Sequence, residues 1–213
     1  MPRAQSSVDA LLFDFGNIVV DIDFNRVFEA WAGAAGVPAT VIAERFSFDA
    51  AYEAHECGTL HGAEYFAALR QSLAAPLSDD QFLAGWNAVF VGPRPGMREL
   101  LARLARILPL YLFSNTNALH HAYWRREYHE ILQSFARIFC SHELGFRKPS
   151  PRAFLSTAEA IGVEPGRLAF FDDAAENIAG AREAGLRSFH VTSFEGLRRV
   201  LEDDLGIDIA HET

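Results

Sequence analysis

The chain has 213 residues, half of them hydrophobic and 22% charged, with a formal net charge of −9. That length suits one domain, or one domain with an insertion. The acidic balance without a basic stripe excludes general nucleic-acid binding, but not a small phosphorylated ligand held by a local cation.

Residues 1–7 are polar and carry no signal-peptide core, and no run approaches the roughly 18 apolar residues of a membrane span. Cys57 and Cys140, far apart and without CxxC spacing, are expected to be free thiols in a reducing cytoplasm. In chain order, Ala10-Leu11-Leu12-Phe13 predicts a buried strand ending on Asp14, with Gly16 and Asn17 directly after it. Residues Ile18 to Asp23 alternate in part and predict a short hairpin or flap beside that strand end. Phe24, Val27, Phe28 and Trp31 then fall on one helical face. Thr40 to Phe48, Ala50 to Glu56, Gly62 to Leu73 and Ser78 to Phe90 predict further amphipathic helices, the last opened by a Ser78–Gln81 capping box. Gly36-Val37-Pro38, Gly58, Ala75-Pro76 and Gly92-Pro93-Arg94-Pro95-Gly96 punctuate them.

From Gly96 onwards, helices (Met97 to Arg106, Ala118 to Tyr128, Pro151 to Ile161, Ala174 to Ala184, Phe194 to Asp204) alternate with strands. Those strands are Leu110 to Phe113, Arg137 to Cys140, Leu168 to Phe171 and Ser188 to Val191. This is the pattern of βαβ units, hence of an α/β fold with a parallel sheet covered on both faces. Residues 1–20 and 95–213 would form that core, and residues 21–94 a helical insertion.

The strand ends carry the chemistry. Asp14 ends the first, Ser114-Asn115-Thr116-Asn117 the second, Gly145-Phe146-Arg147-Lys148-Pro149 follows the third, and Asp172-Asp173 ends the fourth, with Glu176 and Asn177 close behind. In an open parallel sheet these ends share one rim, where ligands bind. Carboxylates gathered there repel unless a cation sits between them. Mg²⁺ suits the role, accepting a few carboxylate oxygens, waters and a substrate phosphate. Asp14 is then placed to attack a phosphoryl group and form an aspartyl-phosphate.

This ordered set of motifs resembles the haloacid dehalogenase-like hydrolase superfamily over the whole chain. The resemblance implies a three-layer Rossmann-like core with residues 21–94 as a helical cap. The runs Phe15 to Arg26, Gly85 to Phe90, Ser114 to Asn117 and Phe170 to Asp173, with Asn177-Ile178, are similar to the bacterial α-D-glucose-1-phosphate phosphatase subgroup. The resemblance implies that Asp14 is nucleophile and metal ligand, with the Gly16 carbonyl and Asp173 as further ligands. It likewise gives phosphate binding to Ser114 and the Asn115 amide, charge neutralisation to Lys148, and support of the metal shell to Asp172 and Asn177.

One departure matters. Most phosphatases of the superfamily have a second Asp two positions after the nucleophile as general acid and base, a contribution of roughly 10²–10⁴-fold; here that position is Gly16. An anomeric sugar oxygen, leaving more readily than an ordinary alcohol, lessens the need for it. A 2-haloacid dehalogenase, which needs neither that Asp nor a metal, and a non-catalytic binding module are the alternatives.

In the insertion, Asn25, His55, Glu56 and Trp86 are the candidates to face the substrate, and Arg26 is expected at the surface. His120, His121, His129 and His142 have no carboxylate or cysteine at a metal-binding spacing and are expected to be ordinary histidines. Arg125-Arg126 is expected to be a solvated helix face. The whole predicts a cytoplasmic, Mg²⁺-dependent phosphatase of a small metabolite, foremost a sugar phosphate, as monomer or homodimer.

Overall fold

The computed structural model describes residues 8–209. β1 (Ala10–Phe13) is followed by β2 (Val20–Ile22), by α1 (Phe24–Ala35), α2 (Ala39–Arg45), α3 (Ala50–Glu56), α4 (Gly62–Ser72) and α5 (Asp79–Asn87), and by β3 (Phe90–Pro93). The chain then alternates through α6 (Met97–Leu104), β4 (Leu110–Ser114), α7 (Ala118–Glu127), α8 (His129–Leu132), β5 (Arg137–Cys140), α9 (Ser141–Leu144), α10 (Pro151–Ile161), β6 (Leu168–Asp172), α11 (Ala175–Glu183), β7 (Arg187–His190) and α12 (Phe194–Arg199).

Strands β5-β4-β1-β6-β7, in that order, form a five-stranded sheet in which every pairing is parallel. Successive side chains alternate between its faces. Leu11, Phe13, Leu112, Ala169 and Phe171 pack on one side with Leu101 of α6, Trp124 of α7, Ile131 of α8 and Leu197 of α12. Ala10, Leu12, Phe113 and Phe170 pack on the other with Phe154 of α10 and Ile178 and Ala181 of α11. This is the three-layer α/β arrangement expected from the alternation of strands and helices. The first apolar cluster continues into the helical insertion through Val27, Trp31, Phe82 and Trp86.

The insertion joins the sheet differently from the expectation. Residues after Asp14 do not make a local hairpin. Phe15 to Val20 close a tight turn, with the Asn17 and Val20 amides donating to the Val20 and Phe15 carbonyls. β2 then pairs antiparallel with β3, about seventy residues later. The helix expected over Ser78 to Phe90 accordingly stops at Asn87, and Phe90–Pro93 is strand. Neither segment is long enough to be stable alone; each is held by its partner, a non-local pairing that periodicity does not register. The two strands thus carry the chain into and out of the helical insertion side by side.

The strand order reverses at β1, which pairs with β4 on one side and β6 on the other. The crevice outside the carboxyl ends of β1, β4 and β6 is where this topology places a ligand.

Candidate active site

Asp14, the first residue after β1, is fixed by its backbone amide, which donates to the Phe171 carbonyl at 2.9 Å. Asp172 completes β6 and is fully buried. Lys148 reaches between them from the segment after α9. Its Nζ donates to Asp14 Oδ1 at 2.6 Å and to Asp172 Oδ2 at 2.7 Å, and only 1% of its surface is exposed. An ammonium with that little water survives only because it is paired on two sides. Burial works to neutralise Lys148, yet Asp14 and Asp172 outweigh it and hold the ammonium above its ordinary pKa. Burial pushes Asp14 up to about 7 against the pull of Lys148, with the neighbouring Asp172 and Asp173 charges adding to the rise.

Around this ion triad stands a scaffold of hydrogen bonds. Asp172 accepts from the Ala174 amide at 2.8 Å and, through both oxygens, from Asn177 Nδ2 at 3.0 Å. Asn115 Nδ2 donates to the Lys148 carbonyl at 2.9 Å, and its Oδ1 accepts from the Lys148 amide at 2.8 Å. The Asn115 side chain therefore grips the lysine's backbone, leaving only its own amide for the phosphate role expected of this residue. Asn17 sits in the left-handed region at φ 55, which Asn tolerates better than most residues. Its Nδ2 donates to Asp173 Oδ2 at 3.0 Å, while its Oδ1 accepts from the Ile22 amide at 3.2 Å. Oxygens of Asp14, Asp172 and Asp173 lie within 4.8 Å of one another, a hard-oxygen cluster able to hold a divalent cation.

Asp14 and Lys148 open into a cavity of about 500 Å³, within the usual range for a small-molecule site. Gly16, Ser114, Asn115, Asp173 and Asn177 also line it, so every core residue singled out from the sequence reaches this cavity except Asp172, which lies just behind. The insertion supplies Phe24, Phe48, Tyr52, Glu53 and Glu56. Tyr52 Oη donates to Glu56 Oε1 at 2.9 Å, and Arg147 Nε donates to Glu56 Oε2 at 2.8 Å, with a further bond from Arg147 to Glu53 at 3.1 Å. Burial pushes the Glu56 carboxyl up, opposed by Arg147.

Three of the four expected insertion residues do not line the cavity. Asn25 is exposed on α1. Trp86 is fully buried, stacked on Trp31 at 5.6 Å and on His120 at 4.7 Å, because its helical stripe packs against α1 and α7. His55 is buried, stacked on Tyr65 at 4.4 Å, with its Nδ1–H donating to the Leu60 carbonyl at 2.8 Å. Only Glu56 of that group lines the site. Sequence reasoning passed over Tyr52, Arg147 and the structural work of Asn17. For Asn17 a signal existed, since an Asn after Gly suits a positive φ. His120, buried and bonded to the Trp86 carbonyl, and His129, exposed, are the ordinary histidines expected, but two others have a cysteine neighbour that the sequence did not suggest. His121 and His142 stand together with Cys140, brought close by α7, α9 and the end of β5 rather than by sequence spacing.

A family model for haloacid dehalogenase-like hydrolases matches residues 8–185. The chain belongs to that family. Among haloacid dehalogenase-like proteins, the D-ribitol-5-phosphate phosphatase of Bacteroides thetaiotaomicron is 23% identical over 184 residues, covering 84% of this chain and 89% of its own length. A phosphatase of Mycobacterium tuberculosis is 26% identical over 194 residues, covering 87% and 88%. A family enzyme of Bacteroides thetaiotaomicron, crystallised as a variant with magnesium and inorganic phosphate, superposes with a TM-score of 0.81 at 25% identity, over 90% of this chain and 99% of that one.

Proposed function

We propose that this haloacid dehalogenase-like enzyme is a Mg²⁺-dependent phosphatase that hydrolyses a small sugar phosphate through an aspartyl-phosphate, with α-D-glucose 1-phosphate the foremost substrate. The observation that carries the reading is the buried Asp14–Lys148–Asp172 triad with Asp173 beside it on the rim of the sheet. The named activities of the phosphatase relatives support the same reaction class.

Asp14, its carboxylate oriented by the Lys148 ammonium, is the nucleophile that attacks phosphorus. The bond from phosphorus to the leaving oxygen breaks as the new bond to Asp14 forms, and the released alkoxide takes a proton from water. Water then attacks the aspartyl-phosphate, returning Asp14 and releasing phosphate. Lys148 stabilises charge spreading onto the phosphoryl oxygens, and the Ser114 hydroxyl and the Asn115 amide orient them. Asp14, Asp173 and the Gly16 carbonyl are the residues that would hold Mg²⁺, whose bound charge offsets that of the phosphate and draws Asp14 into its anionic form.

Position 16 has no carboxylate to protonate the leaving group. That favours a leaving group needing little protonation, such as an anomeric oxygen. The aromatic lining of Phe24, Phe48 and Tyr52 suits a sugar face, while Glu53 and Glu56 can accept its hydroxyl protons. We assign residues 21–94 the role of a cap closing over the substrate. A dehalogenase needs no metal, so a carboxylate cluster able to hold a divalent cation argues against one.

The test is phosphate release from a panel of hexose 1-phosphates, hexose 6-phosphates and alditol phosphates, with Mg²⁺ and with chelator. Metal-dependent release, highest for a sugar 1-phosphate and lowered at least about 10³-fold by Asp14→Asn, is the expected result. No release from any member overturns the phosphatase; preference for an alditol phosphate overturns only the sugar 1-phosphate assignment.

A further inference from the structure

Away from the carboxylates, one nitrogen of His121, one of His142 and the sulfur of Cys140 lie within 4.8 Å of one another. Three elements deliver them. Cys140 ends β5 and is fully buried, His142 lies in α9 directly after it, and His121 is on the first turns of α7. The Glu143 carboxylate stands at the open edge, its Oε1 3.4 Å from His121 Nδ1 and 3.9 Å from His142 Nε2. His142 Nδ1 is buried and makes no hydrogen bond among the described residues. A buried ring nitrogen without a partner is a cost that a ligand would remove.

We propose that His121, Cys140 and His142 form a binding site for a borderline-soft divalent ion of the zinc class, separate from the carboxylate cluster. A thiolate, two imidazoles and a carboxylate or water as fourth ligand is a zinc-type donor set, whereas Mg²⁺ selects oxygen. Zinc bonds of about 2.0–2.3 Å place tetrahedral ligands roughly 3.3–3.8 Å apart, so the three groups need to draw in by about 1–1.5 Å at most. Side-chain rotation supplies that, because both histidine side chains keep a little exposure, 14% and 11%, and Glu143 is open at 55%. That edge is also the ion's entry. On binding, the Cys140 sulfur bonds the metal and its proton passes to solvent. The site lies behind the Ser114–Asn117 segment at the carboxyl end of β4. Ser141, between Cys140 and His142, accepts from the Thr116 amide at 2.8 Å and donates to the Thr116 carbonyl at 2.9 Å.

The experiment is a Co²⁺ titration of the full chain under excess Mg²⁺, which keeps the carboxylate site filled, read by absorption. A thiolate-to-cobalt charge-transfer band saturating at one ion per chain, and bleached by Zn²⁺, is expected. Cys57→Ser should leave the band intact and Cys140→Ser should abolish it. His121→Asn and His142→Asn should each weaken Co²⁺ binding at least about 10-fold. Circular dichroism of each variant confirms folding, and His142→Asn, at a partly exposed side chain, carries the test should Cys140→Ser unfold. Absence of the band, a band that follows Cys57, or one indifferent to both histidine variants overturns the proposal.

Discussion

At the scale of single residues, Lys148 carries the heaviest load. Its ammonium balances two carboxylates in a place water barely reaches, so removing it leaves like charges buried together. Breaking a buried pair by deleting one partner costs about 3–5 kcal/mol. Lys148→Met should therefore lower stability in urea by about that much in the absence of metal and reduce turnover by at least about 10³-fold. Ser114 offers the contrast. Its hydroxyl makes only a long local bond to the Asn115 carbonyl at 3.3 Å among the hydrogen bonds described. Ser114→Ala should leave the urea midpoint nearly unchanged while cutting kcat/KM by roughly 10²-fold, the scale of one lost oxyanion donor. Equal stability losses in the two variants would contradict this division. In the cavity wall, buried Glu56 is tied to both Tyr52 and Arg147. Glu56→Gln keeps its shape but gives up the ionic pairing with Arg147, and should raise KM for the best substrate of the panel several-fold more than kcat falls.

At the scale of elements, Lys148 is positioned from behind by a helix. Gly180, in α11, lies against the Pro149 carbonyl so closely that a Cβ there would sit 1.8 Å from the oxygen. In an exposed helix Gly→Ala stabilises by roughly 0.5–1 kcal/mol. Here Gly180→Ala should instead push the Lys148–Pro149 segment outward, destabilising the protein and lowering kcat. Thermal melts and steady-state kinetics on the one variant check both signs. Such a dependence is invisible in a string of residues, and it marks where the sequence stopped being legible. The four strand-end motifs announced themselves, because carboxylates, an ammonium and an amide at the ends of apolar runs have no packing reason to be there. The central strands β1, β4 and β6 followed from uninterrupted apolar runs, and the outer strands β5 and β7 from the alternation of strands with helices. The β2–β3 pairing did not, since each strand is short and its partner distant. Nor did the insertion's contribution to the cavity. Trp86 and Tyr52 both sit on helical stripes, and only the packing of α3 against α9 and α5 against α1 decides that one faces the cavity and the other the core.

Across the whole molecule, the site couples stability to pH and metal. Asp14, held at about 7 by burial in the metal-free protein, binds a proton that the unfolded chain, with an ordinary Asp near 3.9, has already released. Between pH 4 and 7 the folded state thus holds more protons than the unfolded one, and stability falls as pH rises through that window. A cation at Asp14 and Asp173 favours the ionised carboxyl, so its affinity rises with pH over the same interval. Ligand at about 100 times its dissociation constant adds about 2.7 kcal/mol, or some 5–10 °C in a chain of this size. Saturating Mg²⁺ should therefore raise Tm by about that amount at pH 8 and by less than half as much at pH 5.5. Asp14→Asn should flatten the metal-free pH slope and blunt the response to Mg²⁺. Differential scanning calorimetry at both pH values, with Mg²⁺ and with chelator, measures all four quantities. An Mg²⁺ shift equal at the two pH values would mean that the ion is held without Asp14, and that the burial raising this carboxyl toward neutrality is not what the metal relieves.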